Sequence, residues 1–232
     1  MHIRSDIILF VGIIIACGKP ASVLHVAGHR ERIVYSDICI KTRTDPDVVS
    51  YKLPQNVVKQ LNINLTEFVS KIEDKAEKIY HFTNILTKCV AGSSYDFYFQ
   101  KTYESRSILS LLFNIDFQSA SAAHGLHLQY GLSLSLSDGS VINPYSLLTT
   151  DSEGLYNAAY FNAFKQYKKD HPNCASAFEY VPHPGLARNA YFDQDTYRIV
   201  FNPYEIASYG CSTIEIDIPI NIMNSLTGGF HR

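Results

Sequence analysis

The amino-acid sequence predicts an α+β fold, a mainly antiparallel sheet with helices packed on one side. Two patterns predict it. Apolar residues recur at helical spacing within residues 65–79 and 151–170, whereas the segments between residues 93 and 136 alternate with the period of a strand. Because these alternating segments follow one another without a helical stretch between them, they indicate an antiparallel meander.

The N-terminal third is predicted to contain two strands. Residues 32–42 alternate and predict one strand, and residues 48–53 predict a second, shorter one. Residues 44–47, Thr-Asp-Pro-Asp, predict the turn between them because proline fixes φ and aspartate caps turns. Residues 18–30 show no periodicity, and we interpret them as a tether.

The first helix is predicted from a single apolar stripe whose opposite face is charged and solvated. Asn64 precedes the stripe and Glu67 follows three residues later, which is the arrangement of an N-cap with a capping box. The stripe itself consists of Leu65, Phe68, Val69, Ile72, Ala76 and Ile79.

Three strands are predicted in the middle of the chain. The first two join near residues 104–106, and the third ends at the turn Ser137-Asp138-Gly139-Ser140. These strands cover residues 95–99, 108–117 and 126–136.

The C-terminal part is predicted to begin with a second helix over residues 151–170. Pro172 ends this helix because proline cannot continue it. A loop over residues 173–190 follows. Strands over residues 196–201 and 213–218 then precede a last short helix that begins at Pro219.

The apolar run from Ile7 to Ala16 predicts export. Its ten residues, rising about 1.5 Å each, cannot cross a hydrocarbon core about 30 Å thick, so we do not expect a transmembrane anchor. A signal peptide has this length and a basic start. Arg4 supplies the basic charge, although Asp6 partly cancels it.

The end of this run also predicts how the chain is anchored. Ile14-Ile15-Ala16-Cys17 has the pattern recognised by lipoprotein signal peptidase, which indicates a signal peptide over residues 1–16 and a lipid on Cys17. The alternative is cleavage by the general signal peptidase, for instance after Gly18, with no lipid.

Cysteine usage supports export. The chain has five cysteines, which cannot all pair, but an even number remains once Cys17 is lipidated or removed. An even number in an exported chain favours two disulfides, and three pairings stay open. The alternative is a cytosolic protein with buried free thiols. The disulfide candidates are Cys39, Cys89, Cys174 and Cys211.

The composition argues against several functional classes. Lys and Arg number 20 against 22 Asp and Glu, and no basic run occurs, which disfavours nucleic-acid binding. The sequence has no glycine-rich phosphate loop and no Cys/His metal spacing, so we predict no cofactor and no metal. The abundant Tyr and Phe residues lie either at contact surfaces or in a β-rich core.

Neither of two sets of polar residues in the sequence predicts a catalytic residue. His124 and His127 lie three apart at a bend entering a strand, where their side chains point to opposite faces, so we expect His124 to hydrogen-bond the bend. Ser152, Asp170 and His171 contain the residue types of a triad, but no Gly-x-Ser-x-Gly elbow accompanies the serine.

Three stretches of the chain carry a resemblance to a known family: residues 110–148, 198–210 and 214–219. The second has the sequence Arg-Ile-Val-Phe-Asn-Pro-Tyr-Glu-Ile-Ala-Ser-Tyr-Gly. Together they resemble the DUF3298 domain with its usual N-terminal partner, DUF4163, over about residues 32–228. Where that family has Gly-Gly, a small residue and His at a bend, this chain has Ala122-Ala123-His124-Gly125, so the bend is expected to differ.

The resemblance implies an extracytoplasmic role. The pair of domains is similar to the lysozyme-sensing part of RsiV-type anti-sigma factors, to the N-terminal module of some peptidoglycan deacetylases and to a secreted mycobacterial immunogenic antigen. We expect neither anti-sigma nor deacetylase activity, because the segments that carry them are not recognised here. The implied division is a signal peptide over 1–16, a tether over 17–31, a DUF4163-like part over 32–105 and a DUF3298-like part over 106–232.

The expected function is that of a non-enzymatic binding protein of the cell envelope, facing the periplasm or the cell surface. Its expected partners are lysozyme or a peptidoglycan-related ligand, and the membrane through the lipid anchor. Two alternatives stay open: a structural lipoprotein, and an envelope glycan hydrolase, which would need two carboxylates roughly 5–9.5 Å apart in a cleft.

The loop over residues 203–210 is the expected contact with the partner. Rigid aromatic rings at a loop tip lose little rotamer entropy on binding. The alternative for this loop is that Tyr204 and Ile206 are core residues that define the fold. The candidate contact residues are Pro203, Tyr204 and Tyr209.

Overall fold

The helices and strands confirm the predicted α+β class. The structure is a computed structural model, which describes residues 22–27, 30–35, 39–44, 48–80, 94–119, 124–143, 145, 148, 150–175, 180–184 and 189–226.

The N-terminal half is rich in strands. Strands β1 to β4 span Ser22–Ala27, Arg30–Tyr35, Cys39–Thr44 and Val48–Leu53, and helix α1 spans Gln55–Tyr80. Strands β5 to β7 span Ser94–Glu104, Ile108–Gln118 and Leu126–Ser135.

The C-terminal half mixes helices with short strands. Helix α2 spans Thr150–Asp170, α3 Pro172–Ala175 and α4 Ile220–Leu226. Strands β8, β9 and β10 span Ala190–Phe192, Thr196–Phe201 and Ile214–Pro219, and a 3-10 turn at Tyr209–Cys211 precedes β10.

The described strands pair into three antiparallel sheets. The largest has five strands in the order β3-β2-β5-β6-β7, so β5, β6 and β7 form the predicted meander. A three-stranded sheet has the order β10-β9-β8, and β1 pairs with β4. Strand β7 and strand β10 are therefore outer strands of their sheets.

Two N-terminal predictions are wrong. The single strand predicted over residues 32–42 is two strands, because the chain reverses and Tyr35 pairs with Cys39. Alternation alone cannot reveal a tight reversal that keeps the pattern on both sides. Part of the predicted tether, Ser22–Ala27, is strand β1, which depends on its pairing with the more distant β4.

The predicted start of the first helix is also wrong. Helix α1 begins at Gln55, and the N–H of Val58 already donates to the carbonyl of Pro54, 3.1 Å away. The apolar stripe extends toward the N-terminus through Val57, Val58 and Leu61, all buried. Asn64 therefore lies inside the helix, where its Nδ2 donates to the carbonyl of Gly139 at 2.6 Å.

The first core lies between α1 and one face of the five-stranded sheet. Alternate residues of β6 point toward the helix, and the ring of Phe113 lies 5.3 Å from the rings of both Phe68 on α1 and Phe99 on β5. The buried residues that β6 contributes are Leu109, Leu111, Phe113, Ile115 and Phe117.

The second core lies between α2 and one face of the three-stranded sheet. Tyr156, Tyr160 and Phe164 on α2 are buried in the same cluster as the three isoleucines of β10. The other face of this sheet meets the five-stranded sheet, where Val200 and Tyr191 pack on Leu112. Each of the two larger sheets thus carries a helix on one face, and the sheets contact each other.

Candidate functional site

The loop that follows β9 is held in one conformation by its own hydrogen bonds. The N–H of Glu205 donates to the carbonyl of Asn202 at 3.0 Å, and the N–H of Asn202 donates to Oε2 of Glu205 at 2.9 Å. The N–H of Tyr204 donates to the carbonyl of Ala207 at 3.1 Å. Ile206 is buried beneath this turn.

Asn202 joins this loop to the outer edge of β7. Its Oδ1 accepts the N–H of Gln129 at 2.8 Å, and its Nδ2 donates to the carbonyl of Gln129 at 3.0 Å. Asn189 does the same beside it, accepting the N–H of Gly131 at 2.8 Å and donating to the carbonyl of Gln129 at 2.8 Å. The two amides pair with the strand edge as a neighbouring peptide chain would. We call these two side chains the amide clasp.

The clasp requires close approach of the chain. A Cβ on Gly131 would lie 2.5 Å from the carbonyl oxygen of Ala190, so only glycine leaves room for the backbone that carries Asn189. Asn202 itself is 4 % exposed. Its amide bonds are therefore made away from water, where an unpaired peptide group is costly.

Glu205 ties the same loop to α1. Its Oε1 accepts a hydrogen bond from Nζ of Lys75 at 2.6 Å, and the Lys75 ammonium lies 5.5 Å from the ring centre of Tyr130 on β7. The loop thus contacts the helix and the sheet of the first core as well as the second sheet from which it arises.

Three aromatic rings form a row on the outside of the loop. The rings of His124 and Tyr209 are stacked, with centres 3.6 Å apart, and the ring of Tyr204 lies 5.8 Å from that of Tyr209. The hydroxyl of Tyr209 donates to the carbonyl of Gly125. We call His124, Tyr209 and Tyr204 the aromatic row.

The three predicted contact residues have different environments. Pro203 is buried, Tyr209 is partly buried against His124, and Tyr204 is 61 % exposed. The suggestion that Ile206 belongs to the core is confirmed, whereas the same suggestion for Tyr204 is wrong. His124 was missed as a member of this surface, since nothing local in the sequence connects it with residues 204–209.

The hydrogen bond expected for His124 is present in the bend. Nδ1 of His124 lies 3.3 Å from the carbonyl of Gly125, which confirms a hydrogen bond within the bend. Nδ1 of His127 lies 2.5 Å from Oδ1 of Asp116 on the neighbouring strand. In the described part of the chain, no group of three or more potential metal ligands occurs.

Among the described residues, a disulfide joins Cys174, in α3, to Cys211, three residues before β10, with their Cα atoms 5.5 Å apart. Only one of the three pairings open to the sequence contains this bridge, and its second pair would be Cys39 with Cys89. Cys89 and Cys17 lie outside the described residues. The second bridge and the lipid therefore stay predictions.

A groove of about 450 Å³ runs between the C-terminal half of α2 and the outer edge of β10. The hydroxyl of Thr213, one of its lining groups, is buried without a hydrogen-bond partner among the described residues. The ring of His171 stacks on Tyr167 with centres 4.2 Å apart. The lining residues are Gln129, Ala163, Gln166, Tyr167, Asp170, His171, Thr213, Glu215, Ile216 and Asp217.

Carboxylates dominate the charge of this groove. Arg198 is bidentate to Asp217, with N–O distances of 2.6 and 3.1 Å, and reaches Glu215 at 3.3 Å and Asp193 at 3.5 Å. The Arg198 guanidinium thus forms ion pairs with three carboxylates. Burial raises the pKa of Glu215 above its usual value, and Arg198 offsets this only in part.

The residues of the hypothetical triad are not assembled. Ser152 lies in the first turn of α2, whereas Asp170 ends that helix and His171 follows it. At 1.5 Å per residue, Ser152 and Asp170 are separated by about 27 Å along the helix axis. No proton could pass directly between these groups.

Comparison with known proteins supports the fold and part of the resemblance. The model of the DUF3298 family, described as a protein of unknown function, matches residues 147–221. This segment contains the clasp, Tyr204, Tyr209 and β10. No curated protein matches the chain.

Two crystal structures of DUF3298 family proteins are similar in fold. One, from Pseudomonas aeruginosa, aligns over 89 % of this chain and 94 % of its own, with a TM-score of 0.58 and 12 % identity. The other, from Bacteroides fragilis, aligns over 88 % of this chain and 92 % of its own, with a TM-score of 0.55 and 13 % identity. Within the residues described, no helix has the length and apolar character needed to cross a membrane.

Replacing Asn202 by alanine removes the amide that pairs with both peptide groups of Gln129. The N–H of Gln129 is then left unpaired, whereas its carbonyl keeps the hydrogen bond from Asn189. We therefore expect the free energy of unfolding in urea to fall by about 1–3 kcal/mol. Asn162→Ala, at an exposed position of α2, is the matched control and should change it by less than about 0.5 kcal/mol. Equal stability of the two variants would contradict the clasp.

Proposed function

We propose that this chain is an exported, lipid-anchored, non-enzymatic binding protein of the cell envelope, and that its ligand is lysozyme or a peptidoglycan-related molecule. The observation that carries the binding role is the aromatic row, and above all the exposed ring of Tyr204 at its end. The choice of ligands rests on the resemblance to lysozyme-sensing domains.

The backbone of Tyr204 supports a role beyond folding. Its φ is +69°, a left-handed conformation that costs a non-glycine residue energy and is enriched at functional sites. The loop nevertheless keeps a large ring there, 61 % exposed, above a turn fixed by Asn202 and Glu205. A ring held in this way loses little freedom when a ligand covers it.

The neighbours of Tyr204 extend the surface. Tyr209 and His124 continue the row of rings, and Glu205, which follows Tyr204 on the loop, forms an ion pair with Lys75 of α1. An aromatic centre with a polar rim is the composition typical of protein contact sites. The exposed ring of Tyr204 also offers an apolar surface to a sugar ring.

The contribution of Tyr204 can be measured directly. We expect Tyr204→Ala to weaken binding of lysozyme or of soluble peptidoglycan fragments at least tenfold in isothermal titration, as for a contact of hot-spot size. Tyr180→Ala is the matched control, because Tyr180 is 56 % exposed but is not part of the row. Failure of the folded chain to bind either ligand, or equal binding by both variants, would sink this proposal.

Export is supported by the Cys174–Cys211 disulfide, because such bonds persist in oxidising compartments. The anchor has its own test. Cells that express the chain should incorporate a palmitate analogue into it, and Cys17→Ala should abolish the label. Labelling that survives the substitution would show that the lipid, if any, is elsewhere.

The glycan hydrolase alternative is favoured by one observation, the carboxylates of the groove. Glu215, whose pKa is raised by burial, has the property of a general acid, with Asp170 and Asp217 in the same groove. Our proposal predicts that the chain releases no reducing ends from peptidoglycan. Release that disappears in Glu215→Gln would establish the hydrolase instead.

A further inference from the structure

The outer edge of β10 has backbone groups that no described strand pairs. The N–H of Ile220 donates to the carbonyl of Asp195 on the β9 side, at 2.9 Å. Because successive residues of a strand direct their peptide groups to opposite sides, Ile214, Ile216 and Ile218 bond to β9. The N–H and C=O groups of Glu215 and Asp217 therefore point outward. No strand lies beyond them in the described ranges.

This edge lies open along the groove. The groove is lined by residues of both faces of β10, Ile216 from one and Glu215 from the other, and by α2 across from them. Strand edges in many proteins are covered by a helix or loop, or interrupted by proline. In β10 the proline stands only at the end, as Pro219.

The disulfide holds the groove at one end. Cys174 lies just after α2, and Cys211 lies three residues before β10, so the bridge fixes the end of the helix against the start of the strand. An edge held in this way needs no rearrangement to receive a further strand. This preorganisation lowers the entropic cost of binding.

The negative charge of the groove favours a basic ligand. Three carboxylates, those of Asp170, Glu215 and Asp217, line it, while Arg198 is already shared among Asp217, Glu215 and Asp193. A second copy of this chain pairing edge to edge would bring acidic strands together, and like charges opposite one another are unfavourable. A basic segment is complementary.

We propose that the edge of β10 receives an extended peptide with alternating basic and apolar residues, which adds as a fourth strand to the β10-β9-β8 sheet. Its peptide groups would bond to those of Glu215 and Asp217. Two basic residues two positions apart in an extended peptide lie about 6.6 Å apart, as do Glu215 and Asp217 along β10. Its apolar side chains face α2 at the small side chain of Ala163.

A labelled, capped Lys-Val-Lys-Val-Lys-Val peptide is the probe. We expect it to bind the purified chain in fluorescence anisotropy, with affinity that falls as salt rises. A Glu-Val-Glu-Val-Glu-Val peptide should not bind. The double variant Glu215→Gln with Asp217→Asn should bind the basic probe at least tenfold more weakly. Asp195→Asn, which changes an exposed acid in the turn between β8 and β9 and outside the groove, should bind it normally.

Amide hydrogen exchange separates strand addition from simple charge attraction. Binding of the probe should slow exchange at the N–H groups of Glu215 and Asp217, which face outward, with little change at Ile216, which already bonds to β9. No binding of the probe, or binding that leaves the two outward amides unprotected, overturns the proposal. So does protection of those amides in the free chain, because a second copy or another segment of this chain would then occupy the edge.

Discussion

Two asparagine side chains take the place of a strand at the outer edge of β7, and the arrangement of both sheets depends on them. Peptide groups buried between packed layers must be paired, since each unpaired one costs about 1–3 kcal/mol. Asn202 and Asn189 supply both donors and acceptors for Gln129 and a partner for Gly131. The clasp thereby fixes where the three-stranded sheet contacts the five-stranded sheet, although no strand joins the two sheets.

Both proposed binding surfaces follow from this constraint. The chain leaves the clasp at Asn202 and presents Tyr204 on a turn closed by Glu205. It then returns through Tyr209, stacked on His124, and reaches the disulfide at Cys211, three residues before β10. A short loop therefore positions the aromatic row at one end and the edge of β10 at the other. The matched segment of the DUF3298 family, residues 147–221, includes this whole path.

Local patterns in the sequence were sufficient for much of the fold. Alternation predicted β5, β6, β7, β9 and β10, and Pro172 marked the end of α2, because these signals arise within one element. Strand β1 and the early start of α1 were missed, since the former depends on pairing with β4. The clasp could not be predicted, because Asn202 and its partner Gln129 are 73 residues apart.

Amide hydrogen exchange of β7 in the free chain tests the clasp most directly. The N–H groups of Gln129 and Gly131 face away from β6, so on an open edge they would exchange far faster than those of Leu128 and Tyr130, which pair with β6. With the clasp in place, all four should exchange at similarly slow rates. Fast exchange at Gln129 and Gly131 alone would contradict the account.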